Sequence, residues 1–452
     1  MSHILPLHKD GPKNCIENHR PISLLPKVSL IFERILFNYI YSAIKDKLHP
    51  KQFGFQAKRG AVLQLLDYLE TIYRQSSSIL FAVYLDYAKA FDKVPYAILL
   101  KKLHTFGMDL NFISLMRSYL LDRTQRVSAQ GQLSNALPVL SGVPQGSVLG
   151  PLLFLLFIKD LPAIFLDAIP WLLADDLKLL FNTANFHDDL ARLHNWNLSN
   201  GMLANTAKTK TLNFKSVTDV NLSGINLMNV NSQRDLGVVV TSNLKWDNHI
   251  DIRISKARKF FFLLKNTIPW STPSKTKYNL YRSMVLSVLL YGAVICSPSI
   301  SSLKKMESFQ KLCFRWIFGK KLNYERTLKT NNLLPIAYHI ELESHSLLLN
   351  LLLNKYAYNV DEIVTYQPRK PYKRLSSFNP LVLSSNMKHS VLRNSVMSLN
   401  YLHRQAIISE PHPSSIRSVK IFLLNKTFDF DNTCTYYICC CCAKCSHLKS
   451  LI

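Results

Sequence analysis

Apolar positions along the chain follow two periods, and the changes between them mark out its elements. Residues 80–85, LFAVYL, are six consecutive apolar or aromatic positions ending at Asp86, the pattern of a strand buried on both faces. Trp171–Leu180, WLLADDLKLL, is apolar on either side of one acidic pair. It predicts two short strands joined by a tight turn at Ala174, Asp175 and Asp176. Helical spacings of three and four recur at Val28, Ile31, Ile35, Leu36 and Tyr39, then at Val62, Leu65, Leu66 and Leu69. They return in a helix opened by Gly146 and Ser147, running through Leu149, Leu152, Leu153 and Leu156 to Asp160, and in His187–Ser199, where Leu190, Leu193 and Trp196 share a side. A short strand is expected at Thr211–Phe214 and a Val-rich hairpin at Arg234–Trp246 around Gly237. From about Asn248 the pattern is helical: Ile254–Leu264, Tyr278–Ser297 and Ser301–Phe318. In these, Val285, Leu289, Tyr291 and the aromatics of Phe309–Phe318 read as core.

Charge changes the picture more than composition does. The 55 Lys and Arg against 29 Asp and Glu give a formal charge of +26, which calls for a polyanionic partner. An aromatic content of 11% beside that charge favours nucleic acid, where rings stack on bases and cations pair with phosphates. The start, MSHILPLHKDGPKN, shows no signal peptide. Pro151–Ile158 and Met284–Ile295 are shorter than the roughly 18–20 residues of a membrane span, and the second reads as a buried helix. Only Cys15, Cys296 and Cys313 of the nine Cys precede the tail, so a reducing compartment, nuclear or cytoplasmic, is expected. Gln367–Lys426 carries ten Lys or Arg against one acid, Glu410, and reads as partly ordered and phosphate-facing. In the tail, Cys439 or Cys442 with Cys445 and His447 can form a zinc knuckle. Four consecutive Cys cannot all ligate one ion, however, and a free-thiol tail is the alternative.

The candidate chemistry is acidic. Asp86 ends a buried strand, a usual ligand position in layered α/β structure, and Asp175–Asp176 sit at the tip of an apolar hairpin. Carboxylates so placed want a hard divalent cation, although Asp is also a common turn and helix-capping residue. Asp92, after Phe91, fits a capping or helix-start role. Ser141–Pro151, SGVPQGSVLGP, packs three Gly and two Pro into eleven residues. Such a bend lets backbone approach a ligand and points helix N–H groups at it, and Gln145 there can bond a base or sugar. Gln52–Gly60, QFGFQAKRG, is a Gly-punctuated basic loop, phosphate-binding or plain surface. Lys208 or Lys210, near the start of the expected Thr211 strand, is by itself surface charge. A central antiparallel sheet can bring Asp86, Asp175 and Asp176 together. Two metals about 3.5–4 Å apart on such acids lower the pKa of an attacking hydroxyl and neutralise a leaving pyrophosphate. Phosphoryl transfer asks little beyond positioning and charge.

These stretches, in this order, resemble the reverse transcriptases of non-LTR (LINE-type, jockey-like) retrotransposons: NHRPISLL at 18–25, FGFQAKRG at 53–60, YLDYAKAFD at 84–92, SGVPQGSVLGP at 141–151, LADDLKLL at 173–180 and NTAKTK at 205–210. The resemblance covers about residues 4–345. It implies an α+β right-hand polymerase, with fingers, a palm with an antiparallel sheet and a helical thumb, followed by a helical C-terminal region. Fingers and palm would occupy 1–240, thumb and connection 241–360, a basic region 361–430 and the Cys-rich tail 431–452. It implies Asp86, Asp175 and Asp176 as catalytic acids holding Mg²⁺ (or Mn²⁺), with the backbone of Tyr87 completing a metal shell. Phe91 would exclude a ribose 2′-hydroxyl, Gln145 and Gly146 would line the nucleotide and template, and Lys208 would give a proton to pyrophosphate. Arg20 and Arg59 would face nucleotide or template. RNA template, DNA primer and deoxynucleoside triphosphates are the implied partners. Two positions depart from the family: Leu173 stands where an aromatic is usual, and Gln56 where an Arg facing the triphosphate is usual. The chain also starts almost at the first finger motif, without the endonuclease such elements carry upstream, as a truncated copy would. A decayed fragment that only binds nucleic acid is the alternative, and a metal-dependent nuclease on the same acids a third.

Overall fold

The run expected to be a doubly buried strand is the middle of a five-stranded sheet. The computed structural model describes residues 2–353 except 10, 216–219, 297 and 320–322, and beyond these only 364–366, 381–383, 396 and 419. The proposed zinc residues Cys439, Cys442, Cys445 and His447, and most of the basic 361–430 region, therefore lie outside the described residues. Two compact units are present: 1–64 with 76–231, and 65–75 with 232–452.

The strands of the first unit are β1 (Ser2–His8), β2 (His19–Leu24), β3 (Phe81–Leu85), β4 (Thr124–Ala129), β5 (Gln132–Leu133), β6 (Leu137–Pro138), β7 (Ile169–Leu173), β8 (Asp176–Phe181), β9 (Lys210–Asn213), β10 (Asn221–Leu222), β11 (Ile225–Asn226) and β12 (Met228–Val230). Its main helices are α1 (Lys27–Ile44), and then, after α2 (Ala61–Arg74) of the second unit, α3 (Tyr96–Thr105), α4 (Leu110–Leu120), α5 (Leu149–Phe157) and α6 (Phe186–Asn200). The central sheet runs β12-β9-β3-β8-β7 and is antiparallel except for the β9–β12 edge pair. All five residues of β3 are buried, as an inner strand covered on both faces requires. Helix α5, apolar throughout, is buried at every residue but Pro151. Around it pack Leu99 and Leu103 of α3, Met116 and Leu120 of α4, and Leu190 and Leu193 of α6.

The second sheet is β2-β1-β4-β5 with β6 on β4. The NHRPISLL stretch ahead of α1 is itself a strand: His19–Leu24 pairs with β1 from His3↔Leu24 to His8↔His19. Helix α1 forms where expected but turns the other way. Val28, Ile31, Ile35 and Tyr39 are 62–77% exposed, while Glu33, Ile40 and Ile44 are buried. The reason is polar. The Glu33 carboxylate accepts from Val148 N–H (2.6 Å) and Leu149 N–H (3.1 Å), satisfying donors left open at the start of α5, and from Tyr119 Oη (3.0 Å).

The second unit continues with β13 (Ser232–Asp235), β14 (Val238–Thr241), α7 (Asp247–Thr267), α8 (Ser274–Leu280), α9 (Ser287–Leu289), α10 (Ile300–Phe318), α11 (Tyr324–Asn331) and α12 (Ile336–Leu352). The Val-rich hairpin turns at Leu236–Gly237, with Gly237 at φ +86°. Tyr278–Ser297 is not one helix. After α8 it widens into a π-turn over Tyr281–Leu286, and α9 gives way to turns around Gly292 at φ +78°. Tyr291, expected in the core, is 42% exposed. Its hydroxyl donates to Leu236 O (2.6 Å). Among the described residues no helix is long and apolar enough to cross a membrane.

Substituting Glu33→Ala strands two backbone donors, one part-buried and one buried, and a tyrosine hydroxyl. A loss of about 2–4 kcal/mol is expected, read as a shift in the urea midpoint at constant slope.

Candidate active site

The site is built by strand register. Asp86 follows the last residue of β3, and Leu85 lies opposite Leu177, the second residue of β8. The β7–β8 pairing closes on Leu173↔Asp176, so the hairpin tip is Ala174–Asp175, with Ala174 in the left-handed region at φ +59°. Asp86 and Asp175 thereby come to one end of the sheet. Burial, and then the Asp86 charge, push the Asp175 carboxyl above the usual carboxylate range; Arg20 and Lys9 pull it back down. Asp176 opens β8 with its side chain exposed.

Among the described residues no group of three His, Cys, Asp or Glu side chains is gathered closely enough to hold a metal. Asp86 stands near enough for its charge to act on Asp175, and the exposed Asp176 is next along the hairpin. A pair of carboxylates whose proximity raises a proton affinity fits a divalent cation, which would remove the repulsion.

The surroundings fix both acids from the backbone. Asp86 O accepts from Asn205 N–H (2.7 Å), and Ala88 N–H donates to Leu203 O (2.9 Å). The same loop carries Lys208, which is exposed. Tyr87 buries its ring and donates its hydroxyl to Asn197 Oδ1 (2.8 Å). On the other side, Phe53 N–H donates to Leu172 O (2.8 Å) and Leu172 N–H to Lys51 O (3.0 Å), laying the QFGFQ loop along β7. A Cβ on Gly54 would stand 2.2 Å from Ala174 N, so only glycine lets the loop approach the acidic turn. Gln56, the departure from the family pattern, donates Nε2 to Gln52 O (2.7 Å) and closes that loop. Arg59 donates to Pro50 O and lies over the Phe53 ring, 5.2 Å from its centroid.

The Ser141–Pro151 bend borders the segment after Asp86. Phe91 stacks on Phe154 at 4.3 Å and meets Phe55 edge-on at 6.0 Å. Gly146, at φ +107°, is exposed, and a Cβ there would lie 2.7 Å from Ser23 O. Helix α5 begins at Leu149, after the bend and not at Gly146. Ser147 Oγ instead accepts from Gly150 N–H (2.8 Å). Asp92 makes no capping bond; its Oδ1 accepts from Gln145 Nε2 (2.8 Å). Arg20 stands exposed on β2. Lys9 and Glu33, and the bond that Asp92 makes to Gln145, are what the sequence pattern does not reveal. Lys9 lies in a Lys- and Pro-bearing loop with no periodic signal, and the other two are revealed only by partners 53 or more positions away.

Residues 7–263 match the family described as reverse transcriptase (RNA-dependent DNA polymerase). Over 365 residues the chain is 29% identical to the "Probable RNA-directed DNA polymerase from transposon X-element" of Drosophila melanogaster, covering 75% of this chain and 40% of that protein. Over 367 residues it is 28% identical to the "RNA-directed DNA polymerase from mobile element jockey" of the same fly, covering 73% and 39%. The chain thus spans about two fifths of the length of these relatives. A solved structure of apo telomerase from Candida tropicalis is similar at 12% identity and TM-score 0.43, over 89% of this chain and 67% of that one.

Gly54→Ala is expected to push the acidic turn off β8 at a cost of about 1–3 kcal/mol. Amide exchange at Leu172–Asp176 should then quicken about tenfold or more, with exchange in α6 unchanged. Because burial and the Asp86 charge raise the Asp175 carboxyl above the usual carboxylate range, Mn²⁺ affinity should begin to fall, as pH is lowered, at a higher pH than an ordinary carboxylate would give. Titration by electron paramagnetic resonance measures it.

Proposed function

The chain belongs to the reverse transcriptase (RNA-dependent DNA polymerase) family, and from that premise we propose that it is an RNA-directed DNA polymerase of the non-LTR retrotransposon type. It would add deoxynucleotides to a DNA primer 3′-hydroxyl along an RNA template, in the nucleus or cytoplasm. The observation that supports this most is the strand register that brings Asp86 and Asp175 to one end of the buried sheet. Bound Mg²⁺ or Mn²⁺, in a two-metal arrangement, would supply Lewis acidity to the attacking hydroxyl and the leaving pyrophosphate. Asp86 and Asp175 would hold it, with the Tyr87 backbone and the exposed Asp176 available alongside.

The chain's own residues do the positioning. Arg20 and Lys9, both near enough to act on Asp175, set positive charge where a triphosphate would lie. Phe91, pinned between Phe154 and Phe55, is a rigid ring on the sugar side, suited to rejecting a 2′-hydroxyl. Gln145 and Gly146 offer an amide and an open backbone to the nucleotide. Lys208 is exposed on the loop bonded to Asp86 and can carry a proton to pyrophosphate. One observation favours the binding-only alternative: with Gln56 bonded to Gln52 O, no cation stands where the family has its Arg.

The test is extension of oligo(dT) on poly(rA) with purified protein, titrating Mg²⁺ against Mn²⁺. Wild type should extend, and Asp175→Ala should lose at least about 10³-fold while RNA affinity stays within about twofold. Salt-dependent RNA binding without extension would replace this reading with the binding-only one. Release of labelled nucleotides without added triphosphates would favour a nuclease.

A further inference from the structure

The Ser141–Pro151 bend is laid on the residues that follow Asp86, and one side chain there does more than support it. Gly142 N–H donates to Val94 O (2.9 Å), Val143 N–H to Phe91 O (2.8 Å) and Ser141 Oγ to Asp92 O (2.8 Å). A Cβ on Gly142 would lie 2.6 Å from Asp92 O, so the two segments are in backbone contact. Gln145 is then gripped at two atoms. Its main-chain O accepts from Ser23 N–H (2.7 Å), and its Nε2 donates to Asp92 Oδ1 (2.8 Å). The remaining polar atom of the amide, Oε1, has no hydrogen-bond partner among the described residues.

An ionised carboxylate only accepts hydrogen bonds, so Asp92 decides which end of the Gln145 amide turns inward. The Asp92 side chain caps no helix; besides the bond from Gln145 it feels the charge of nearby Lys89. Burial pushes its carboxyl up, and the bond from Gln145 opposes that shift.

We propose that Asp92 is a positioning residue that locks the Gln145 amide with Oε1 facing the bound nucleotide, making Gln145 an acceptor for a donor group on it, a hydroxyl or a base N–H. The inference rests on the polymerase reading and adds to it the residue that orients the nucleotide contact. A free glutamine amide presents either end with similar ease; one held by a carboxylate presents only oxygen, and the ordering is made before substrate arrives.

The experiment is a double-mutant cycle over Asp92 and Gln145 on poly(rA)/oligo(dT). It reads KM and kcat for dTTP, and equilibrium retention of labelled dTTP by the protein on primed template with Mg²⁺. Asp92→Ala and Gln145→Ala should each weaken dTTP about tenfold in KM and in retention, with kcat within about threefold, as expected for loss of one charge-assisted hydrogen bond. The double variant should be no worse than the weaker single within about twofold, since both remove the same contact. Asp92→Asn keeps an acceptor and should stay within about threefold of wild type. Asp92→Ser, too short to reach the amide, replaces the alanine variant if that one does not fold. Additive losses in the double variant overturn the proposal. So does full dTTP affinity in Asp92→Ala, or an Asp92→Asn as weak as Asp92→Ala at an unchanged unfolding midpoint. If wild type binds dTTP but does not extend, the polymerase reading fails and retention alone decides this inference; a wild type that retains no dTTP overturns it.

Discussion

Like charge held at the end of an apolar sheet is the constraint around which the first unit is arranged. Asp86 and Asp175 stand together because β3 and β8 are paired in a register fixed by residues with no polar alternative: Phe81, Val83, Leu85, Leu177 and Leu179. A slip of one residue would turn that apolar set to the opposite face. The sheet's hydrophobic pattern is therefore also what sets the spacing of the acids. Holding Asp175 there is costly, since burial and, after it, the Asp86 charge raise its carboxyl; that is tolerated because burial of the strands is worth far more, on the order of 1.5–3 kcal/mol for each large side chain.

Around that pair the chain relies on close backbone approach more than on side-chain contact. Gly54 meets Ala174, Gly142 meets Asp92 and Gly146 meets Ser23, each at a distance that no Cβ could share. Two loops far apart in sequence, the Gln52–Gly60 loop and the Ser141–Pro151 bend, are thereby laid against the acidic turn, the segment after Asp86 and β2. Two buried or half-buried carboxylates complete the arrangement from behind: Glu33 ties the start of α5, and Asp92 ties Gln145. Both bind N–H donors, the partners a desolvated carboxylate needs if its burial is not to be costly.

How much of this could be read from the sequence follows from how local each signal is. β3, the β7–β8 hairpin, α6 and the β13–β14 hairpin are declared by their own residues: an unbroken apolar run, an acidic pair between two such runs, a helical stripe of Leu190, Leu193 and Trp196, a Val-rich stretch around Gly237. The acids and the Gly-rich bend were legible for the same reason. The β1–β2 pairing was not, because HRPISL alternates poorly and carries a proline. Helix α1 was legible as a helix and misleading as to its face. Its apolar stripe from Val28 to Tyr39 faces solvent in this structure, and a single Glu at position 33 decides its orientation through bonds to residues more than a hundred positions away. Periodicity cannot see a bond of that kind. Tyr278–Ser297 reads as continuous because its apolar positions keep helical spacing past Gly292; its interruption shows in the π-turn and in Gly292 at positive φ.

The two departures from the family pattern can be weighed by what the fold asks of each position. At 173 the hairpin asks for strand backbone opposite Asp176, and leucine supplies that as well as an aromatic does, so the acidic tip keeps its shape. Position 56 is different in kind. An Arg there would bring a positive charge; Gln56 spends its amide on Gln52 O and stiffens the loop that Gly54 lays against the tip. The geometry of the loop is kept and a charge is given up. On the proposed polymerase reading, Arg20 and Lys9, which act on Asp175 from the β1–β2 side, would be cations placed to meet a triphosphate. Arg59 is held over Phe53 and Pro50. A shortfall at this site would accordingly appear first as weak nucleotide binding that deepens with salt, since exposed cations are screened within about 10 Å at ordinary ionic strength. It would not appear as a distorted arrangement of the acids.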